Sequence, residues 1–121
     1  MALRRRTPLR ASRGTVWPTD VREHIATHQH GCIGPLAGMP GECMGRAELD
    51  HVRPSGGIGM KSDSIAVNGA RLCTWHHRLR TDAGKTWRPR VLSVVSLLHA
   101  ECASCQRESI EFYGAPLAEV S

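Results

Sequence analysis

The sequence predicts a small α+β fold that a bound metal ion helps to stabilise, and three observations lead to this prediction. A chain of 121 residues is about one domain. Its 3 Trp, 1 Tyr and 1 Phe, beside 12 Gly and 7 Pro, supply few large side chains for a core, although a chain of this size buries roughly two-thirds of its unfolded surface. The 7 His and 5 Cys are therefore expected to supply part of the stability as metal ligands.

The elements follow from the spacing of the apolar residues. A helix is predicted within residues 17–31, because Val21 and Ile25 recur on one face. Residues 47–52 have the length and alternation of a short strand. A second helix is predicted over residues 73–83. Residues 91–99 fit either a buried strand or a short helix, and we favour the helix.

The composition divides the chain into three parts. Residues 1–16 are rich in arginine and are expected to form a flexible basic arm. Residues 17–95 are expected to form the folded domain, and residues 96–121 an irregular or mobile C-terminal tail. No apolar stretch approaches the about 18–20 residues of a membrane span, and the basic start lacks the apolar segment of a secretory signal. We therefore expect a cytoplasmic protein that does not enter a membrane.

Positive charge is concentrated in two stretches. The formal net charge is +5; residues 1–13 carry +5 and residues 51–90 carry +6, whereas the stretches between and after them are acidic. This asymmetry is expected of a chain that binds a polyanion such as DNA. The alternative is that the basic stretches only keep the chain soluble. The side chains expected to contact DNA phosphates are Arg4, Arg5, Arg6, Arg53, Lys61, Arg78, Arg80 and Lys85.

Three cysteines and one histidine form a candidate structural zinc site. Cys73 and His76 have the short spacing that lets two ligands bind one ion, and Cys32 and Cys43 bracket the Gly/Pro-rich loop before them. Three Cys and one His make a closed tetrahedral zinc site. An odd number of cysteines without a secretory signal does not favour a disulfide framework. The alternative is that the four are unconnected buried residues.

Further ligand-type residues have no assigned partner in the sequence. His99, Cys102 and Cys105 are spaced as three ligands without an evident fourth. They form either an incomplete second zinc site, a site that a partner completes, or a pair of reduced thiols. His28 and His30 precede the first cysteine and are alternative ligands for the first site.

A second constellation resembles a known family. The chain contains ELDHVRPSGG at residues 48–57, then Asn68, then LCTWHH at residues 72–77. This order resembles the HNH endonuclease family, the ββα-metal nucleases, and in particular the small HNH proteins of phage genomes, over roughly residues 31–90. In the family an Asp-His pair on a first strand is followed by a Gly-rich turn, an Asn and a Leu-Cys-x-x-Cys-His run. Here His76 stands in place of the second Cys of that run.

The resemblance implies a ββα-metal fold with flanking helices and a metal-dependent DNA endonuclease activity. It implies that His51 is the general base, that Asp50 and His77 bind a divalent ion, and that Asn68 orients the ring of His51 or contacts the metal. Phosphodiester hydrolysis needs such a base and such a cation. The expected ion is Mg²⁺ or Mn²⁺, and the imidazole ligand also admits Ni²⁺ or Zn²⁺. Adjacent strand residues point to opposite faces, so a twist is needed before Asp50 and His51 approach one phosphate.

Two other functions are also compatible with the sequence. The first is a non-catalytic zinc module that binds DNA in a salt-sensitive manner without cutting it. The second is an accessory protein of a phage packaging machine, which would cut DNA beside a partner such as the large terminase. A phage-encoded chain would work in the cytoplasm of a bacterial host.

Overall fold

The computed structural model describes residues 17–53 and 63–120, and the sequence prediction of an α+β fold is confirmed. Four helices and two strands follow one another in this part of the chain, with three short 3₁₀ turns between or after them. No helix within these ranges is long and apolar enough to span a membrane. The elements are α1 Thr19–His28, β1 Ala47–His51, β2 Gly69–Cys73, α2 Thr74–Asp82, α3 Arg88–Leu98 and α4 Ala103–Tyr113, and the 3₁₀ turns are Pro35–Ala37, Ala66–Asn68 and Leu117–Glu119.

The two strands form an antiparallel sheet that leads directly into α2. They pair from Ala47 opposite Cys73 to His51 opposite Gly69. Helix α2 begins immediately after β2 because the sulfur of Cys73 accepts the backbone N–H of His76 and thereby caps the first turn. The predicted strand over residues 47–52 and the predicted helix over residues 73–83 are both confirmed. The last residues of β1 consequently lie beside α2.

The core consists of two clusters of buried side chains. The first joins β2 and α3 to the loop after α1 and includes Ile33, Val52, Leu72, Val91 and Val95. The second joins α1 to α4 and includes Trp17, Ile25, Val67, Cys105 and Leu117. Helix α1 comes so close to β2 that a Cβ at Gly69 would lie 2.6 Å from Cδ1 of Ile25. The helix predicted within residues 17–31 is thus confirmed and packs on the sheet.

The C-terminal part of the chain differs from its prediction. Residues 91–99 belong to a helix, as favoured, but the expectation of irregular chain after them is wrong, because α4 is a regular helix. The sulfur of Cys102 caps it by accepting the N–H of Cys105, and the Tyr113 hydroxyl donates to the carbonyl of Val67 at 2.9 Å. The buried positions of α4 are Cys105 and Ser109. Because these residues are small, the segment has no strong apolar periodicity, and the sequence therefore does not predict the helix.

Candidate functional site

Cys32, Cys43, Cys73 and His76, the Cys₃His cluster, come together at the start of α2. Their ligand atoms all lie within 4.8 Å of one another. Nδ1 of His76 is 3.4, 3.7 and 3.2 Å from the sulfurs of Cys32, Cys43 and Cys73, respectively. A tetrahedral zinc ion with the usual bond lengths separates a sulfur and a nitrogen ligand by about 3.6 Å. The donor set and its spacing therefore fit a metal ion such as zinc.

The surroundings of the Cys₃His cluster orient its ligands. Nε2 of His76 lies 3.1 Å from the carbonyls of Pro40 and Gly41. Since carbonyls only accept, Nε2 carries the proton and Nδ1 presents its lone pair to the three sulfurs. Backbone N–H groups of Gly34 and Met44 donate to cluster sulfurs at 3.4 Å. Carbonyls hold the histidine and N–H groups donate to the sulfurs, which is an environment that suits a metal-binding set.

Asp50 and His77 meet across β1 and α2. Nε2 of His77 is 3.2 Å from Oδ1 of Asp50, and Nδ1 is 2.7 Å from Oε1 of Glu48. The two carboxylates lie two residues apart on β1, so they share the face that points to α2. The hydrogen bond to Asp50, against the opposing effect of burial and with the help of Glu48, raises the pKa of His77 to about 9. The imidazole therefore holds a proton between two carboxylates, in a donor set that suits a divalent cation when that proton leaves.

Arg80 occupies a different place from the predicted one. It is 9% exposed, its Nε donates to Oδ2 of Asp50, and an NH2 group donates to the carbonyl of His51 at 3.1 Å. Burial raises the pKa of Asp50, but the hydrogen bonds from His77 and Arg80 outweigh it and leave the pKa lowered. The expectation that Arg80 contacts DNA phosphates is therefore corrected: its guanidinium group is buried and bonded to Asp50 and His51.

His51 lies at the end of β1 on the other side from Asp50. Its ring stacks on the indole of Trp17, with ring centroids 4.5 Å apart, and its Nε2 lies 2.9 Å from Oγ of Ser64. Burial lowers the pKa of His51 and outweighs the opposing effect of the Asp50 charge. The lowered pKa favours the neutral ring. Within the described residues, Asp50 contacts α2 while His51 contacts Trp17, and the alternation expected of adjacent strand residues is maintained.

Asn68 organises the ends of the loop between the strands. Its side chain is fully buried; Nδ2 donates to the carbonyls of Arg53 and Asp63 at 3.1 and 2.9 Å, and Oδ1 accepts the N–H of Arg53 at 2.8 Å. In the described part of the chain none of its hydrogen bonds reaches the ring of His51. This placement differs from the role of orienting the ring of His51: Asn68 fixes the backbone on both sides of the loop.

The remaining predicted DNA contacts divide into two groups. Arg53, Arg78 and Lys85 are exposed, and the guanidinium group of Arg53 lies 4.7 Å from the ring centroid of Tyr113. These three side chains are therefore accessible to a polyanion. The others, Arg4, Arg5, Arg6 and Lys61, lie outside the described residues.

A second Cys/His set joins the two ends of the described chain. His24, His28, Cys102 and Cys105, the Cys₂His₂ cluster, have ligand atoms within 4.8 Å of one another. His28 is thus not placed in the Cys₃His cluster. The exposed His30 is not there either, because its Nε2 lies 3.2 Å from the carbonyl of Thr27. The signal for this cluster was present in the sequence as an i, i+4 histidine pair on α1, but its partners follow about 80 residues later.

Comparisons of the chain with protein-family models, with curated proteins and with solved structures give no match. The candidate functional groups of the described residues are the two Cys/His clusters and the Asp50–His77 pair. Glu48, which contacts His77, was not recognised from the sequence, and Arg80, which contacts Asp50, was predicted only as a DNA contact.

Proposed function

We propose that this protein is a metal-dependent DNA endonuclease of the ββα-metal type, whose Cys₃His cluster binds structural zinc. The observation that carries the proposal is the 3.2 Å approach of the Asp50 carboxylate on β1 to His77 on α2, with His51 next to Asp50 in the chain. Asp50, His51 and His77 lie at one end of the sheet. They are held there by the two antiparallel strands, by the helix that follows β2 and by the Cys/His cluster at the start of that helix.

The catalytic ion would be held by Oδ1 of Asp50 and Nε2 of His77. Oδ2 of Asp50 is already bound to Arg80, so Oδ1 is the oxygen that faces the histidine. Glu48 contacts the other nitrogen of His77 and is exposed, so it adds negative charge beside the ion. A carboxylate, one imidazole and phosphate oxygens suit Mg²⁺ or Mn²⁺ best, with Ni²⁺ or Zn²⁺ as further candidates. When bound, the ion would polarise the scissile phosphate.

His51 would remove the proton from the attacking water. Because Asp50 and His51 point to opposite faces of β1, the scissile phosphate would lie across the end of this strand, where both side chains can reach it. Because burial lowers the pKa of His51, the ring is neutral at pH 7 and can accept a proton. The indole of Trp17 and the hydroxyl of Ser64 hold the plane of the ring. General base catalysis by a positioned histidine contributes about 10²–10⁴-fold to a rate.

Zinc at the Cys₃His cluster would fix the position of α2 against β1. All four ligand positions are filled by the chain, as in a structural site. His76 and His77 are separated by about 100° around the helix. His76 therefore faces the three sulfurs while His77 faces Asp50. The proposed zinc and the proposed catalytic ion would thus be connected through two consecutive residues of α2.

The DNA would approach from the side of the exposed basic residues. Arg53 follows the end of β1, and Arg78 follows His77 on α2, so both flank the proposed site and are accessible. Phosphate contacts of this kind position the nucleic acid without reading its sequence. A role in phage DNA packaging, in the cytoplasm of a bacterial host and beside a large terminase, is one setting for this activity.

One observation favours the second candidate, a zinc module that binds DNA without cutting it. The guanidinium group of Arg80 neutralises Asp50 in the absence of a metal and competes with an ion for that carboxylate. If Arg80 keeps an ion from binding to Asp50, the zinc-stabilised fold would still bind DNA through the exposed Arg53, Arg78 and Lys85. The DNA affinity would then fall steeply as the salt concentration rises.

Nicking of supercoiled plasmid by the full-length protein in Mg²⁺ or Mn²⁺ distinguishes the two candidates. The endonuclease proposal predicts nicking by the wild type and its loss in Asp50→Asn, with DNA affinity within a few-fold of the wild type. His30→Ala is the matched control, because His30 is exposed and its hydrogen bond among the described residues is to Thr27 at the end of its own helix, and it should nick as the wild type does. Salt-sensitive DNA binding without nicking in any divalent ion would favour the non-catalytic module instead.

A further inference from the structure

We propose that the Cys₂His₂ cluster binds a second structural zinc ion, which ties the first helix of the described chain to the last. The four ligands are His24 and His28 on α1, Cys102 just before α4 and Cys105 in its first turn. This site is independent of the proposed nuclease activity and involves none of the residues assigned to it.

The spacing of the ligand atoms fits one tetrahedral ion. Nε2 of His24 lies 3.3 Å from the sulfur of Cys105 and 3.4 Å from that of Cys102. His28 lies one helical turn after His24, with ring centroids 5.0 Å apart, so both rings face the same side of α1. The nitrogen–sulfur distance expected around a tetrahedral zinc ion is about 3.6 Å. All four positions are filled, which is typical of a structural rather than a catalytic site.

His99, which sequence spacing placed among the ligands, has a different role. The Oε1 of Gln29 accepts the backbone N–H of Arg71 at 2.8 Å, which fixes the orientation of the Gln29 amide. The Nε2 of Gln29 therefore donates to the Nε2 of His99 at 3.0 Å. A nitrogen that accepts cannot carry a proton, so the proton of the neutral ring lies on Nδ1. That N–H points at the sulfur of Cys105, 3.3 Å away, and leaves no lone pair on Nδ1 for a metal.

His99 is therefore a positioning residue that donates to a metal-bound thiolate. Both His99 and Gln29 are fully buried, so this orientation is enforced by the packing. Groups that hydrogen-bond to metal ligands typically change metal affinity about 10–100-fold when they are removed. The same Gln29 amide also donates to the carbonyl of Gly69 at 2.9 Å. The second site is thereby connected through Gln29 to β2, the strand that pairs with β1.

Zinc content per chain, measured by mass spectrometry on the untagged full-length protein after dialysis, tests the proposal. The wild type should contain two zinc ions, and the Cys102→Ala/Cys105→Ala variant should contain one. The His30→Ala control should keep two, because that side chain belongs to neither cluster. One zinc ion in the wild type, or an unchanged zinc content in the double variant, would overturn the proposal.

A second measurement does not depend on whether the double variant folds. X-ray absorption at the zinc edge of the wild type should show five sulfur and three nitrogen ligands shared between two ions. Three sulfurs and one nitrogen per zinc would mean that only the Cys₃His cluster is filled, and would refute the second site.

The two histidine variants separate a ligand from a positioning residue. His28→Ala should reduce the zinc content to one. His99→Phe should keep two, while the second ion is lost to a competing chelator at about 10–100-fold lower chelator concentration. The reverse pattern, with zinc lost from His99→Phe and kept in His28→Ala, would overturn the assignment of the ligands.

Discussion

Replacing Asn68 by aspartate tests whether this residue supports the loop or takes part in the chemistry. The change keeps the size of the side chain but turns the Nδ2 donor into an oxygen that faces the carbonyls of Arg53 and Asp63. Both hydrogen bonds are lost, and a buried carboxylate oxygen is left against two acceptors. The Oδ1 that accepts the N–H of Arg53 is retained. We expect the folded state to be destabilised even though the number of heavy atoms in the side chain is unchanged.

The expected cost follows from the hydrogen bonds. Two lost bonds at about 1 kcal/mol each, and about 1–3 kcal/mol for the buried unsatisfied oxygen, give about 3–5 kcal/mol. At about 4 °C per kcal/mol for a chain of this length, the melting temperature should fall by roughly 12–20 °C. Tyr113→Phe is the matched control, since it removes only the hydroxyl that donates to Val67 and Asn68. It should lower the melting temperature by about 4 °C, for a loss of about 1 kcal/mol.

Thermal unfolding followed by circular dichroism, with zinc in excess, measures both variants. A melting temperature of Asn68→Asp close to that of the wild type, together with a loss of plasmid nicking, would refute this reasoning. Asn68 would then act in the reaction and not through the backbone of the loop.

Three further predictions concern the metal sites. Removal of zinc by a strong chelator should unfold the chain. The apparent free energy of zinc binding, about 10–16 kcal/mol, is comparable to the free energy of unfolding of a whole domain, about 5–15 kcal/mol. A circular dichroism spectrum that stays unchanged while zinc is released would contradict this prediction. Gly34→Ala should destabilise the protein by about 1–3 kcal/mol and weaken zinc retention, because its Cβ would lie 2.7 Å from Cγ of His76. Gly31→Ala, whose Cβ would meet no atom of the described residues within 4 Å, should do neither. Arg80→Gln should cost about 1.5–3 kcal/mol, because Asp50 loses one of its two cationic partners and keeps the other, His77. Mn²⁺ should raise the melting temperature of this variant more than that of the wild type, and an equal response would mean that the ion does not bind at Asp50.

Part of the fold could be predicted because its signals are local. The strand at residues 47–52 and the helix at residues 73–83 are each predictable from residues within the element itself, although the buried residues of the helix, His76 and Arg80, are polar. The Cys₃His cluster was also recognisable, because Cys73 and His76 are three residues apart and the other two cysteines bracket one loop. Two ligands at such a short spacing can bind the same ion without depending on the rest of the fold.

The remaining features depend on contacts between distant parts of the chain. Helix α4 was missed because its buried positions, Cys105 and Ser109, are small, and Cys105 is buried through its packing with residues of α1 and of the turn before β2. Arg80 looks like a solvent-exposed basic residue until β1 places Asp50 against it. The ligands His24 and His28 became recognisable only when α1 was packed beside the start of α4.

The rate of plasmid nicking by the wild type and by His51→Ala, at equal and saturating Mn²⁺, tests the proposed nuclease most directly. His51 contacts Trp17 and Ser64 and is not a ligand of either cluster, so DNA affinity and zinc content should stay at wild-type values. The nicking rate should fall by about 10²–10⁴-fold, the contribution of a general base. Nicking by His51→Ala at the wild-type rate, or the absence of nicking by the wild type, would contradict the proposal.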